Sequence, residues 1–261
     1  MLLHDWPVPD NVVIAMTDRH GGVSLAPYDS LNLGLHVGDA PQQVLANRGI
    51  LAKLLGLATE PVWLEQVHGT QVVDLADIAP INLAQEAQSE SVAAQAPPLV
   101  ADASYSNLAG RVCVVMTADC LPVLLCNEQG TEVAAAHAGW RGLCDGVIEA
   151  SVAKFASEPS ELIAYLGPAI GPMTFEVGAE VRAAFMAVDP NAANCFVAQC
   201  QATKPDKFFA DIIGLAKLRL KQLGIKQVYS ADICTVSSPD YFSYRRDKVT
   251  GRMASLIWLR S

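Results

Sequence analysis

The stretch VCVVMTADCLPVLLCNEQGTEVAAAHAGWRG, residues 112 to 142, decides the fold class. It holds three short apolar runs, Val112 to Thr117, Pro122 to Cys126 and Glu132 to His137, each of strand length. A Glu128-Gln129-Gly130 turn separates the second from the third. Beyond them Leu143, Val147, Ile148, Val152 and Phe155 recur at helical spacing on one face. A second helix is expected from Asp211 as N-cap through Ile212, Leu215, Leu218 and Leu220 to a stop at Gly224, with a strand from Gln227 to Ala231 after it. Strands predominate and helices are interspersed without regular βαβ alternation. That pattern predicts an α+β fold with antiparallel or mixed sheets rather than a doubly wound one.

Composition narrows the function classes. With 261 residues, 51% of them hydrophobic and 17% charged, the chain has enough apolar surface to offset its conformational entropy. The net charge of -9 argues against nucleic acid and against an anionic membrane surface as partners. It leaves room for a small anionic substrate held by local arginines. The N-terminus has no basic segment followed by an apolar stretch, and no apolar run approaches the roughly 20 residues of a membrane span, so a cytoplasmic protein is expected. Seven cysteines without a CxxC pair point to buried thiols rather than a disulfide framework or a ribbon-type zinc site.

No internal repeat, GxGxxG or GxxxxGK[ST] loop is present, so ATP and NAD gain no support. Residues 82 to 98, NLAQEAQSESVAAQAPP, read as a surface insertion. The strong apolar patterns on either side do not separate into two cores, and one domain over residues 1 to 261 is expected.

Histidine is scarce, with five in the chain. Two occupy pointed settings, Gln66-Val67-His68-Gly69 and His137-Ala138-Gly139-Trp140-Arg141-Gly142. Each follows an apolar run and precedes glycine, where strand ends deliver side chains into clefts. Cys120, in Thr117-Ala118-Asp119-Cys120-Leu121-Pro122, lies between two strands. His68, Cys120 and His137 would give a catalytic zinc three ligands and leave a fourth position open. The same residues could instead serve a thiol hydrolase, with Cys120 as nucleophile and a histidine as base. They could also be satisfied loop histidines and a buried thiol, and spacing does not separate the three. Asp119 ranks behind Cys120, because neighbours on a strand point to opposite faces unless the backbone turns.

Several arginines sit in glycine- or aromatic-rich settings: Arg19 before His20-Gly21-Gly22, Arg141 between Trp140 and Gly142, and Arg245-Arg246 after Phe242-Ser243-Tyr244. Their forks suit phosphate or carboxylate. Each taken singly has the simpler reading of a surface ion pair; Arg141, four residues after His137, is the exception. The runs Ser30-Leu31-Asn32-Leu33-Gly34 and Gly167 to Pro172 read as turn and packing elements.

Together the blocks TDRHGGVSLAPYDSLNLGLHVGD (17 to 39), LEQVHG (64 to 69), TADCLPVLL (117 to 125), AAAHAGWRG (134 to 142), GPAIGP (167 to 172), FEVG (175 to 178) and YFSYRRDKVTGRMASLIWL (241 to 259) resemble the bacterial laccase-domain family. That family is also called multicopper polyphenol oxidoreductases and purine nucleoside phosphorylases with adenosine deaminase activity. The resemblance spans nearly the whole chain in order. It implies a layered α/β/β/α sandwich with mixed sheets, and a zinc held by His68, Cys120 and His137. Pro172-Met173-Thr174-Phe175 departs from the cysteine- and tyrosine-containing version common before EVG, and the insertion at 82 to 98 is longer than usual.

The function it implies is a zinc-dependent enzyme that phosphorolyses purine nucleosides such as adenosine and inosine and deaminates adenosine. Its partners would be a nucleoside and phosphate, Cys120 and Arg141 would be catalytic, and Arg19, Arg245 and Arg246 would bind substrate. A copper-dependent polyphenol oxidase is the alternative, since copper would also bind a His₂Cys set. Dioxygen reduction by laccases needs a further copper cluster, however, and only His4, His20 and His36 remain to build it. A metal-binding protein without catalysis and a thiol hydrolase complete the alternatives.

Overall fold

Alternation along the strand Leu121–Asn127 builds two cores at once. Leu121, Val123 and Leu125 enter one buried cluster, and Leu124 and Cys126 enter another on the opposite face. The neighbouring strand Val133–Ala138 divides the same way, Ala134, Ala136 and Ala138 against Val133 and Ala135. Both strands are buried along their whole length, which accounts for their near-continuous apolar sequence.

The computed structural model describes residues 1, 5–83, 99–199 and 206–260. The insertion expected at 82–98 therefore lies, from residue 84 on, outside the described residues. Six strands form the central sheet in the order Gln227–Ser230, Leu162–Leu166, Leu121–Asn127, Val133–Ala138, Ala103–Ser106, Val72–Asp74. Its inner pairs are antiparallel and its two outer pairs parallel, so the sheet is mixed.

A three-stranded antiparallel sheet, Val12–Met16, Met253–Leu259 and Cys113–Thr117, stacks on one face of this sheet. Cys113, Val115, Ile257 and Leu259 meet Leu124, Cys126 and Tyr165 between the two sheets. The alternate residues Val114, Leu256 and Trp258 face outward, where Leu31 and Leu33 of the preceding loop and Leu51 of the helix Pro41–Leu55 cover them. On the far face of the six-stranded sheet the helices Trp140–Asp145, Val147–Val152, Ala179–Val188 and Ile212–Leu223 close the remaining core. The result is a mixed α/β fold in α/β/β/α layers. Each fully buried Leu- or Phe-sized side chain contributes about 1.5–3 kcal/mol, so the cohesion resides in these three interfaces.

The helical pattern at Leu143 to Phe155 forms two short helices instead of one. Gly146, at φ +102°, breaks the chain into Trp140–Asp145 and Val147–Val152, and Phe155 lies beyond the second. All five apolar residues still reach one core, so the spacing described the burial face and missed the break. The later helix starts and stops as read: the Asp211 carboxylate accepts from the N–H of Gly214, and Gly224 caps the end at φ +93°. Among the described residues no helix is long and apolar enough to cross a membrane.

Candidate metal centre and adjoining cleft

Three segments remote in sequence deliver one donor each to a single point. Cys120 stands in the turn between Cys113–Thr117 and Leu121–Asn127, where Asp119 adopts φ +89°. His137 is the penultimate residue of the strand Val133–Ala138, paired with Pro122. His68 arrives on a loop at φ +62°. Their ligating atoms lie within 4.8 Å of one another, and among the described residues this is the one group of three or more His, Cys, Asp or Glu side chains that could hold a metal ion.

The loop bearing His68 is tied down by its neighbours. Gln66 docks on the strand Cys113–Thr117 like a peptide group: its Nε2 donates to Met116 O at 2.8 Å and its Oε1 accepts from Met116 N at 2.7 Å. The buried carboxylate of Asp102 accepts from the backbone N–H groups of Val67, His68 and Gly69 at 3.1, 2.9 and 2.6 Å. It also meets Nδ1 of His137 at 2.8 Å. One carboxylate thus orients both histidines, and it leaves Nε2 of His137 free to ligate.

Glycine makes the close approach possible. A Cβ on Gly139 would stand 2.5 Å from His68 Cδ2 and 3.1 Å from Cys120 Sγ, and one on Gly142 would stand 2.7 Å from Gly69 O. The glycines of His137-Ala138-Gly139-Trp140-Arg141-Gly142 are therefore packing requirements of the centre.

The donor set fits a soft or borderline divalent ion. Sγ of Cys120 and Nε2 of His68 are 3.6 Å apart, and donors about 2.3 and 2.0 Å from one tetrahedral zinc stand about 3.5 Å apart. Burial pushes the Cys120 thiol up, but the charges and hydrogen bonds of His137 and His68 outweigh it and draw the thiol down to about 6. Burial likewise pushes His137 down, yet Cys120 and Asp102 raise it to about 9. The pair favours the thiolate, the form a metal takes. Burial also pushes the Asp102 carboxyl up, and the hydrogen bonds from His137 and the N–H of Gly69 bring it below its ordinary value.

A cleft of about 190 Å³ opens beside Cys120, its walls including Asp119, Trp140, Phe175, Tyr244 and Arg245. Asp119 joins those walls: its carboxylate accepts from the Thr235 hydroxyl and from the N–H of Arg245, both at 2.6 Å. The backbone does turn there, so Asp119 and Cys120 reach the cleft from adjacent positions.

The arginines separate by engagement. Arg245 stacks over Phe175 at 5.6 Å and donates to Glu176 O at 3.0 Å. Arg141 stacks over Trp140 at 4.5 Å. Arg19 is held by Asp29, through the backbone O at 2.7 Å and the carboxylate at 3.3 Å, and lies over Phe242. Arg246 donates from every guanidinium nitrogen within the chain, to the carbonyls of Thr235, Val236, Ser238 and Tyr241 and to Asp247, and so ties its own loop.

Reading the sequence missed Asp102 and Gln66. An acid inside the apolar run Leu99-Val100-Ala101-Asp102-Ala103 was the available signal for the first, since a carboxylate fully buried at a strand end needs several donors. Nothing in the sequence marks the strand-mimicking amide of Gln66.

The layers and the centre define a class: an α/β/β/α protein with one His₂Cys group at a strand end, facing an aromatic cleft. Residues 13–260 match the family model described as multi-copper polyphenol oxidoreductase laccase, and the chain belongs to that family. It is 53% identical over 260 residues to purine nucleoside phosphorylase YfiH of Escherichia coli (strain K12), covering 99% of this chain and 98% of that one. It is 39% identical to purine nucleoside phosphorylase SCO2081 of Streptomyces coelicolor, over 93% of each chain. Among solved structures, Neisseria meningitidis protein NMB0706 superposes with a TM-score of 0.86 at 47% identity, covering 98% of both chains. YlmD from Geobacillus stearothermophilus superposes with a TM-score of 0.79 at 30% identity, covering 97% of this chain and 93% of that one.

Proposed function

We propose that this chain is a zinc-dependent purine nucleoside phosphorylase that also deaminates adenosine. What carries the reading is the His68–Cys120–His137 group beside an aromatic cleft, in a chain whose relatives bear the name purine nucleoside phosphorylase. His68, Cys120 and His137 would hold the zinc, and a bound zinc would supply Lewis acidity at the edge of the cleft. Trp140, Phe175 and Tyr244 offer faces on which a purine can stack. Arg245, which lines the cleft, and Arg141, which stacks over the cleft residue Trp140, would orient the substrate, and Arg19, held by Asp29, would also bind it.

In phosphorolysis a phosphate oxygen forms a bond to C1′ of the ribose while the bond from C1′ to the base nitrogen breaks. The electron pair leaves with the base, which takes up a proton. In deamination water adds at C6 of adenosine and ammonia departs, giving inosine. Asp102 would keep His137 and the His68 loop in place throughout. A polyphenol oxidase is disfavoured by the donor inventory, since multicopper chemistry needs several ligand clusters and the described residues hold one.

The test is product chromatography from inosine and adenosine, each with and without phosphate, using zinc-loaded protein and a Cys120→Ala control prepared identically. Phosphate-dependent free base and phosphate-independent inosine from adenosine, both absent in the control, are expected. Equal turnover by the two preparations, or none by either, would overturn the reading.

A further inference from the structure

The segment Ser30 to Asp39 meets the chain at Thr250 to Met253 beside the metal centre. Asn32 builds the junction, its Oδ1 accepting from the N–H of Arg252 at 2.9 Å and of Gly34 at 3.0 Å, and the N–H of Leu33 donates to Arg252 O at 3.1 Å. Met253 pairs with Thr117, three residues before Cys120, so Arg252 leaves the sheet at the edge where the Cys120 turn stands. It is close enough to Cys120, Asp119 and Tyr244 for their charges to act on it. Tyr244 and Asp119 line the cleft.

Gly34 lies between Arg252 and His36. A Cβ there would stand 2.8 Å from Arg252 Cγ and 3.3 Å from His36 Cε1, so the two side chains flank one glycine. Nη1 of Arg252 donates to the carbonyls of Thr250 and Gly251 at 3.1 and 3.0 Å. Among the described residues its Nε and Nη2 have no acceptor, no carboxylate stands within 4.0 Å of it, and neither ring nitrogen of His36 has a partner. The Thr250 hydroxyl, 2% exposed, also lacks a hydrogen-bond partner. Partial loss of solvent, then the charges of Arg252, Arg48 and His137, hold His36 below its ordinary value, so the local field is positive. An Arg252 cation without a carboxylate partner, and free donors on Arg252, His36 and Thr250, form an incomplete site, and a doubly charged tetrahedral anion would complete it.

We propose that His36 and Arg252 seat the inorganic phosphate of the reaction, which rests on the phosphorylase reading above. The free side of the Arg252 fork takes two phosphate oxygens and His36 takes a third. A remaining oxygen donates its electron pair to C1′ as the base departs with the pair of the broken bond. Ser30-Leu31-Asn32-Leu33-Gly34, which reads in sequence as a turn, is then the scaffold that joins the two residues.

The experiment measures binding of inorganic phosphate to zinc-loaded protein by calorimetry, with zinc content checked in every variant. His36→Gln and Arg252→Gln are each expected to weaken phosphate binding at least about tenfold, with Arg252→Lys less affected. Lys53→Gln, on the exposed end of the helix Pro41–Leu55, should leave binding unchanged. Unchanged phosphate binding in His36→Gln and Arg252→Gln overturns the proposal, as does binding of adenosine monophosphate but not of phosphate. Should Arg252→Gln fail to fold, the exposed His36→Gln decides alone. Turnover separates the two ideas. Phosphate-dependent base release with an unaltered KM for phosphate in both variants overturns the seat and leaves the phosphorylase standing. Phosphate binding that both variants lose, without base release by the parent protein, supports the seat and overturns the phosphorylase.

Discussion

Oδ1 of Asp102 stands 2.8 Å from Nδ1 of His137, and the same oxygen accepts from the backbone N–H of His68 at 2.9 Å. This buried carboxylate couples two donors that are 69 positions apart in the chain, since 137 − 68 = 69. Replacing Asp102 by Asn keeps its shape but turns an amide NH₂ toward N–H donors. Zinc affinity is expected to fall about 10- to 100-fold, the usual effect of losing a carboxylate behind a ligand histidine. Competition with a chelating dye measures it, and affinity within twofold of the parent would contradict the assignment.

Cys120→Ala removes the sole sulfur donor of the centre. Metal stoichiometry by elemental analysis should drop close to zero while the circular dichroism spectrum is retained, because Cys120 stands in a turn rather than in a core cluster. Full zinc occupancy in the variant would defeat the ligand set.

Gly139 has an ordinary backbone, φ −63° and ψ 157°, so Gly139→Ala acts by contact alone. The new methyl would stand 2.5 Å from His68 Cδ2, and crowding of this kind costs about 1–3 kcal/mol. Weakened zinc binding, with a thermal midpoint that falls more in the loaded protein than in the metal-free one, is expected. Equal shifts in both forms would place the strain elsewhere.

Glu132 provides a pH prediction away from the metal. Burial pushes its carboxyl up, but the hydroxyls of Ser157 and Tyr105 and the N–H groups of Ala156 and Ser157 outweigh that and hold it below its ordinary value. A depressed carboxyl contributes stability that is present above its unfolded value and is lost as pH falls through its folded value. Glu132→Gln should therefore be less stable than the parent at pH 7, by about 1.5–3 kcal/mol for a hydrogen bond to a charged group, and the difference should shrink as acidification protonates the parent's carboxylate. Urea midpoints between neutral and acid pH give the comparison, and parallel curves for the two proteins would remove Glu132 from the acid response.

The mixed strand-and-helix content was legible because strand periodicity is local, whereas the layered sandwich followed only from the family resemblance. Val112 to Thr117, Pro122 to Cys126 and Glu132 to His137 each carry their own alternation or continuous burial, and the observed strands begin or end within one residue of those limits. The grouping of His68, Cys120 and His137 was suggested by their settings, yet spacing alone favoured loop histidines with a buried thiol and did not separate a zinc ligand set from a thiol nucleophile. The break at Gly146 was hidden because one glycine within a helical pattern can be tolerated or can end the helix.

Residue types and periodicity by themselves determined the mixed α/β character, the buried strands and the capped helix from Ile212, since each depends on neighbours a few positions away. Only the tertiary structure decided that Asp102 serves both histidines, that Arg246 binds its own loop, and that Arg252 and His36 share one side of Gly34. Those relationships arise where sheets and loops remote in the chain converge, and a side chain's partners there are set by packing across the layers.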